Sequence, residues 1–198
     1  MAAAHAIGAA FGTYLQRFEH QQTVVVGRDN RRTSFELARA VMEGLKQSGC
    51  KVYNLELLAT PILYWNAVRR GNVGGVMVTG SHLPPEQNGF KLCVGGRSIY
   101  GSQLQSIRGF IDTRDLTYGS GELTTDHTSY LQYVKDLAER LPMGARKLRV
   151  VVDAGNGIGG LFAPNLIKAW GHELAACLYC NPDGNFPNHP ANPQEEST

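Results

Sequence analysis

The sequence lacks several features that would place a protein in a special class. Its basic residues (19 Lys and Arg, against 17 Asp and Glu, for a formal net charge of +2) form no block, so bulk charge predicts neither a nucleic-acid nor a membrane-surface partner. No apolar run approaches the length of a membrane span. The apolar start, MAAAHAIGAAFGTYL, lacks the basic residues of a signal peptide, which favours a helix there. These absences leave a soluble globular protein.

Cysteine is also scarce. The four cysteines, Cys50, Cys93, Cys177 and Cys180, show no spacing typical of a disulfide framework, so we expect free thiols in a reducing cytoplasm. Cys177 and Cys180 do spell C-x-x-C, which could be a redox or metal pair. However, LAACLYC has the pattern of a strand, in which thiols three positions apart would point to opposite faces. Packing is therefore the favoured interpretation over chemistry.

Strand and helix patterns alternate along the chain. Thr33 and Glu36 have the spacing of a capping box, and glycines follow several helical segments. Strands separated by helices of this length indicate βαβ units, hence an α/β fold of mostly parallel mixed sheets with helices on both faces. The predicted strands are 23–26, 51–57, 75–79, 90–94, 148–153 and 173–179, and the predicted helices are 33–45, 60–70, 101–111, 127–141 and 159–170.

The polar stretch 113–125 marks a predicted boundary between two units. We expect a first domain at residues 1–120 and a second at 121–198, in which the strand-helix-strand pattern restarts. The tail 181–198 contains four prolines and no periodicity. Such a tail cannot complete an α/β domain, so the second domain is expected to be partial.

The loop TGSHLPPEQNGFK (79–91) follows a predicted strand, where open α/β sheets place their ligands. Ser81 as a hydrolase nucleophile is disfavoured, because G-x-S-x-G is absent and the adjacent His82 would point away. Phosphoryl carriage by Ser81 needs no triad, but the phosphate charge must be offset by cations or a metal. Lys91 and the arginines of the loop after the first strand, Arg28, Arg31 and Arg32, could supply that charge, with His82 as a phosphate donor or acid/base. A plain polar loop with incidental Ser and His stays open as the alternative.

A second candidate site is the turn 155–160 (GNGIGG), which fits G-x-G-x-x-G between a strand and a helix. Asp183 lies roughly where the acidic ribose contact of a dinucleotide site would be sought. A tight turn that needs small residues explains the same glycines. A nucleotide-binding oxidoreductase therefore stays open as a less favoured function.

Six ordered motifs resemble one known family, the α-D-phosphohexomutases, and within it the bacterial phosphomannomutase/phosphoglucomutase branch. The resemblance covers nearly the whole chain. At one point the chain departs from the family's usual T-A-S-H-N-P loop, with Gly80 and Leu83 in place of Ala and Asn. The motifs are 25–31 (VVGRDNR), 59–61 (ATP), 75–84 (GVMVTGSHLP), 88–91 (NGFK), 151–157 (VVDAGNG) and 183–189 (DGNFPNH).

The resemblance implies an enzyme that interconverts hexose 1-phosphate and 6-phosphate through a phosphoserine and a bisphosphorylated sugar. Ser81 would be the phosphoserine and one ligand of Mg²⁺, and a hexose 1,6-bisphosphate would be the activator. His82 and Lys91 would act as acid/base or phosphate-contacting groups. Arg28 and Asn88 would support the loop and the phosphate.

The resemblance also implies that parts of the family's enzyme are absent from these residues. The sequence contains no D-G-D-x-D-R metal loop, no G-E-x-S-G-H sugar loop and no opening Y-D-x-R-G segment. We therefore expect an incomplete and weakly active or inactive mutase, or else a non-catalytic binding module. The implied partners are a phosphorylated hexose and either the missing C-terminal part or a second copy of the chain.

Overall fold

The computed structural model describes residues 1–194, and the last four residues of the predicted tail lie outside them. Within that range the chain alternates helices and strands, as predicted. The helices are α1 (Ala2–Phe18), α2 (Ser34–Gln47), α3 (Thr60–Arg69), α4 (Ser102–Thr113), α5 (Ser129–Arg140) and α6 (Gly159–Ala169). The strands are β1 (Thr23–Arg28), β2 (Lys51–Leu57), β3 (Gly74–Val78), β4 (Phe90–Val94), β5 (Arg97–Ser98), β6 (Glu122–Thr125), β7 (Arg149–Asp153) and β8 (Glu173–Leu178).

The first sheet has six strands in the order β5-β4-β3-β1-β2-β6. β1 pairs in parallel with β2 and β3, and β4 and β5 add antiparallel strands at one edge. β1 lies near the centre because its β-branched side chains, Val24, Val25 and Val26, are fully buried. Apolar side chains of α1 and α2 cover one face of the sheet, and those of α3 cover the other. The predicted mixed α/β fold with helices on both faces is confirmed.

The sequence pattern did not predict two short strands, β5 and β6. β6 (ELTT) is exposed along its whole length and pairs in parallel with β2. It carries no apolar pattern, because backbone hydrogen bonds at a sheet edge need none. The predicted boundary after residue 120 stays a prediction, with β6 lying just beyond it in the first sheet.

The second unit repeats the strand-helix-strand pattern on a smaller scale. β7 and β8 form a two-stranded parallel sheet, with α6 as the connection between them. Tyr130 and Tyr133 of α5 and Phe162 of α6 pack against the apolar cluster beneath α3. The two units therefore share apolar contacts away from the sheet edges. Among residues 1–194, no helix has the length and apolarity needed to cross a membrane.

Polar contacts reinforce this junction between the units. Trp65 of α3 donates a 2.7 Å hydrogen bond to Asp136 of α5. Asp126 pairs with Arg70 just before α5 begins. Burial alone would raise the pKa of Asp126, but hydrogen bonds from Thr128 and Ser129 and the charge of Arg70 outweigh it and lower that pKa to about 2. The junction thus depends on an ionised carboxylate.

The cysteine prediction was half wrong. Cys50 and Cys93 are buried free thiols, as expected, and burial raises the pKa of Cys93 to about 12. Cys177 and Cys180, however, form a disulfide with a Cα–Cα distance of 5.9 Å. The strand ends at Leu178, and Tyr179 takes a left-handed φ of 48°. The chain therefore turns between the two cysteines and does not continue as the extended strand that would have separated them.

Candidate active site

The loop 79–89 leaves the sheet at the carboxyl end of β3 and returns as β4. The N–H of Thr79 donates to the carbonyl of Gly89 (3.0 Å), which closes the loop at its base. Ser81 has a left-handed φ of 54°, a conformation that costs a non-glycine residue about 1–2 kcal/mol. Its N–H donates to Thr79 Oγ1 (2.9 Å), and its side chain faces an open cleft. The loop thus holds Ser81 by its backbone and presents its hydroxyl to the cleft.

One guanidinium supports the loop from beneath, and it belongs to Arg31. The side chain of Arg31 is 1% exposed. Its Nη2 donates to the carbonyls of Ser81 and Leu83, each at 2.8 Å, and its Nη1 donates to those of Pro84 (2.5 Å) and Gln87 (3.2 Å). A single buried cation therefore satisfies four carbonyls of an otherwise irregular loop.

Asp29 holds this guanidinium in place. Its Oδ2 accepts from Arg31 Nε at 3.2 Å and from the N–H of Gly80 at 3.3 Å. Its Oδ1 accepts from the N–H of Arg31 (3.1 Å) and from the hydroxyl of Ser34. Both carboxylate oxygens are thus engaged, and the buried ion pair is hydrogen-bonded on every side, as such pairs need to be.

Gly80 allows the close approach of Arg31. A Cβ on residue 80 would lie 2.6 Å from the guanidinium carbon of Arg31 and 2.6 Å from the carbonyl oxygen of Gln87. Real Cβ atoms do not come that close to such neighbours. The glycine that departs from the family's usual alanine is therefore matched to the position of Arg31 in this chain.

The two predicted supporting residues, Arg28 and Asn88, have other contacts. Arg28 donates a long 3.4 Å hydrogen bond to the carbonyl of Asp29 and lies over the ring of Phe35, and burial lowers its pKa. Asn88 donates to the hydroxyls of Thr33 (3.0 Å) and Ser34 (2.8 Å). It thereby ties the end of the loop to the start of α2. The capping box predicted there is wrong, because Thr33 makes no side-chain capping bond.

The two predicted acid/base residues, His82 and Lys91, differ in their relation to the cleft. His82 is exposed and lines the same cleft as Ser81. Lys91 is exposed in β4, opposite Met77 in the antiparallel ladder. Opposed residues share a face of the sheet, and Met77 does line the cleft. Lys91 itself is not among the described lining residues.

The cleft is a cavity of about 660 Å³ between the two units. One wall carries Ser81 and His82. The opposite wall carries Asp153, which ends β7, the glycine turn after it, and His189 from the tail. The glycine turn predicted as a possible nucleotide site therefore faces the phosphoserine candidate across a shared cavity.

Direct contacts fix this opposite wall to the loop that carries Arg31. Asn30 Nδ2 donates to the carbonyl of Asn156 at 2.8 Å. The guanidinium carbon of Arg31 lies over the ring of Phe186, 5.4 Å from the ring centroid. A Cβ on Gly184 would collide with the carbonyl oxygen of Asn30, so only glycine fits there. The tail segment 184–186 therefore packs directly on the residues that hold the Ser81 loop.

His189 and Asp153 form the most polar pair of this wall. Nδ1 of His189 lies 3.0 Å from the carbonyl of Pro190, and its Nε2 lies 3.2 Å from Asp153 Oδ1. The carbonyl of Pro190 and the carboxylate of Asp153 both favour the imidazolium and raise the pKa of His189. The N–H of Gly155 and the charge of His189 in turn lower the pKa of Asp153. The wall thus carries a histidine and a carboxylate, each of which favours the charged form of the other.

The residues described do not complete a magnesium site. Mg²⁺ takes six oxygen ligands, usually with carboxylates among them. Ser81 supplies one oxygen, and both oxygens of the nearby Asp29 are already engaged by donors. Among residues 1–194, no cluster of three or more Asp, Glu, His or Cys side chains could hold a metal ion. Residues 1–194 therefore offer Ser81 as a candidate ligand but not the remaining ligands of a magnesium site.

Two family models match the chain, one for each of the α/β units that border the cleft. Residues 1–117 match the model of phosphoglucomutase/phosphomannomutase alpha/beta/alpha domain I, and residues 129–198 match that of domain II. The chain belongs to the phosphoglucomutase/phosphomannomutase family. The resemblance inferred from the ordered motifs is therefore confirmed.

Several members of the family are similar to the chain. A phosphomannomutase/phosphoglucomutase of Pseudomonas aeruginosa is 41% identical over 192 residues, which is 96% of this chain and 40% of that protein. A phosphoglucomutase of Neisseria meningitidis is 36% identical over 173 residues, 87% of this chain and 37% of that protein. This chain thus spans about 40% of the length of these curated relatives.

Solved structures of the family agree with the fold. A phosphoglucomutase/phosphomannomutase family protein of Burkholderia thailandensis superposes with a TM-score of 0.88 at 37% identity, over 96% of this chain and 42% of that one. A putative phosphomannomutase of Thermus thermophilus, at 24% identity, shares the fold with a TM-score of 0.74 over 94% of this chain and 44% of that one.

The sequence did not reveal the roles of two residues of this family member, Arg31 and His189. Arg31 was one of three arginines in a short loop, and its residue type gives no sign of which one is buried. His189 stood only inside a motif of the proline-rich tail. The one available signal was Asp153, which ends the valine-rich strand β7 before a glycine turn, the place where an α/β sheet positions polar ligand contacts.

Proposed function

We propose that the chain carries the phosphoserine half of a phosphohexomutase that interconverts hexose 1-phosphate and hexose 6-phosphate. The observation that carries the proposal is Ser81. Its backbone is held on one side by Thr79 Oγ1 and on the other by Arg31, while residues 1–194 give no hydrogen bond to its hydroxyl. A nucleophile that is fixed in position and faces a cleft suits phosphoryl transfer, which depends on positioning and charge stabilisation.

In the proposed reaction, a sugar hydroxyl attacks the phosphorus of phosphorylated Ser81. The Ser81 Oγ–P bond breaks as the new O–P bond forms, and the hydroxyl proton leaves to a base, for which His82 is the candidate in the cleft. The resulting hexose 1,6-bisphosphate reorients in the cleft and then transfers its other phosphoryl group to Ser81. Lys91, Arg28 and Asn88 are the proposed supporting residues of the phosphate and the loop.

The proposal includes further elements that the family suggests. Mg²⁺ would neutralise the charge of the transferring phosphate, with the Ser81 oxygen as one ligand and the other ligands supplied from outside residues 1–194. A hexose 1,6-bisphosphate would be the activator and a phosphorylated hexose the substrate, in the cytoplasm. The division into domains at 1–120 and 121–198 belongs to the same proposal.

Mass spectrometry tests the phosphoserine directly. The chain is incubated with glucose 1,6-bisphosphate and Mg²⁺ and then analysed by intact mass and peptide mapping. We expect one added phosphate on Ser81 and none on the variant S81A. If no phosphate is found on the wild-type chain under any of these conditions, a non-catalytic binding module becomes the better account.

Two further assays separate the remaining alternatives. We expect little or no conversion of glucose 1-phosphate to glucose 6-phosphate by these residues alone, and robust conversion would contradict the expected incompleteness. An oxidoreductase would quench tryptophan fluorescence saturably on titration with NAD(H), which we do not expect. Asp183 offers little support for that alternative, because its Oδ1 accepts from both the N–H and the Nδ2 of Asn185.

A further inference from the structure

The Cys177–Cys180 disulfide closes a turn that is hydrogen-bonded to the glycine turn lining the cleft, and its position suggests more than a structural role. Cys177 is exposed and Cys180 is half-buried, so the pair is accessible to small thiols. Only two residues separate the cysteines, and closing so short a ring restricts the unfolded chain little. Global stabilisation is therefore a weak explanation for this bond.

One buried residue, Asn156, donates two hydrogen bonds to the turn that the disulfide closes. The N–H of Asn156 donates to the carbonyl of Tyr179 (2.8 Å), and its Nδ2 donates to that of Asn181 (3.0 Å). These two carbonyls lie on either side of Cys180. Asn156 is 7% exposed and has a left-handed φ of 59°. Its conformation therefore depends on a turn of fixed shape.

Asn156 also connects the turn to both walls of the cleft. Its carbonyl accepts from Asn30, the neighbour of Arg31 (2.8 Å). Its Oδ1 accepts from Asn188 (2.6 Å), next to His189. The ring of Tyr179 packs edge-on against the imidazole of His189, with 5.7 Å between centroids. A change in the turn thus has direct contacts through which to reach the cleft.

The local environment favours reaction at this pair over the other cysteines. Cys50 and Cys93 are buried, and burial raises the pKa of both thiols, which keeps them protonated and unreactive. The main chain of Cys180 instead packs on the first turn of α6, so closely that a Cβ on Gly160 would collide with the Cys180 carbonyl. Cys177, by contrast, is exposed, so a small disulfide or thiol can reach its sulfur.

We propose that Cys177 and Cys180 are a reversible thiol–disulfide site that controls the order of Asn156 and residues 179–189, the segment that brings Phe186 and His189 to the cleft. The oxidant is a low-molecular-weight disulfide such as glutathione disulfide. The thiolate of Cys177 attacks one of its sulfurs and releases one glutathione, and the thiolate of Cys180 then attacks the mixed disulfide and releases the second. The two protons lost from the protein thiols end on the two glutathiones, so the exchange balances.

A redox titration of the whole chain tests the site. The chain is equilibrated in glutathione buffers of varied [GSSG]/[GSH]², quenched with acid and alkylated, and the modified cysteines are identified by mass spectrometry. We expect the oxidised-to-reduced ratio of this pair to change about tenfold for each tenfold change in the buffer ratio, as a two-electron couple requires. Cys93 serves as the internal control and should stay unmodified until the chain is unfolded.

Hydrogen exchange on the same samples tests the link to the cleft. We expect reduction to speed exchange of the Asn156 N–H by about five- to tenfold, the effect of losing one hydrogen bond, while the amides of β1 stay unchanged. C177S should match the reduced wild type in every buffer. A pair that stays reduced throughout, or that resists excess dithiothreitol, overturns the redox site. Equal exchange in both states overturns its control of the cleft, whether or not Ser81 carries phosphate.

Discussion

Replacing Arg31 by methionine tests the central feature of the candidate site. The substitution removes the donor to four loop carbonyls and leaves Asp29 partly buried without its cation. Loss of one member of a buried ion pair typically costs about 3–5 kcal/mol. Asp29 keeps donors from Ser34 and from the N–H groups of residues 31 and 80, so we expect the lower part of that range.

Urea denaturation followed by circular dichroism measures this loss, and amide exchange of residues 79–89 shows whether it begins in the loop. Arg32→Met is the matched control, because Arg32 is exposed and its side chain makes, within residues 1–194, only a 3.5 Å contact with Asn185. It should change stability by less than about 0.5 kcal/mol. Arg31→Lys keeps the charge without the planar fork and should fall between the two. If R31M unfolds at the same urea concentration as R32M, Arg31 does not hold the loop.

Three further outcomes are expected. Gly80→Ala should destabilise the chain by about 1–3 kcal/mol in the same assay, since its Cβ would press on Arg31; an unchanged or higher midpoint would contradict the close contact. Asp126, with its pKa lowered to about 2, should add about 2 kcal/mol to the free energy of unfolding above pH 4, and this stabilisation should be lost as the pH falls towards 2. In denaturation measured at a series of pH values, Asp126→Asn should reduce the loss of stability between pH 4 and pH 2. An unchanged loss would refute this role of Asp126. Contacts with the Pro190 carbonyl and with Asp153 raise the pKa of His189, so this pKa should fall in Asp153→Asn when His189 is titrated by NMR. The His189–Asp153 pair should weaken as the pH rises through the pKa of His189. Equal titration curves in the two proteins would rule the pair out.

The fold was largely predictable because burial leaves a periodic pattern in the sequence. The valines Val24–Val26 and the amphipathic pattern of α2 could be recognised because each reflects burial against neighbouring elements. β6 could not be found in this way, since all four of its side chains are exposed. Its pairing with β2 is a matter of backbone hydrogen bonds alone, which every sequence can make.

The site was predictable in its location and in its serine, but not in its support. The loop after β3 and the residues that line the cleft follow from strand order and from the family motifs. Which arginine is buried depends on the backbone path of a few residues. The residue type alone does not distinguish Arg28 from Arg31. The disulfide escaped for a related reason, because a single left-handed residue, Tyr179, changes the direction of the chain.

Arg31 recognises the Ser81 loop only through main-chain carbonyls, and this makes the loop unusually tolerant of sequence change. Leu83 and Gln87 each contribute a carbonyl to the guanidinium, and the contact is the same for any side chain that keeps the backbone path. Residues along the rim of the loop could therefore be randomised to alter what enters the cleft, while the serine keeps its place. The exceptions are Thr79 and Asn88, whose side chains hold the loop, and residue 80, where a side chain would displace the cation beneath it.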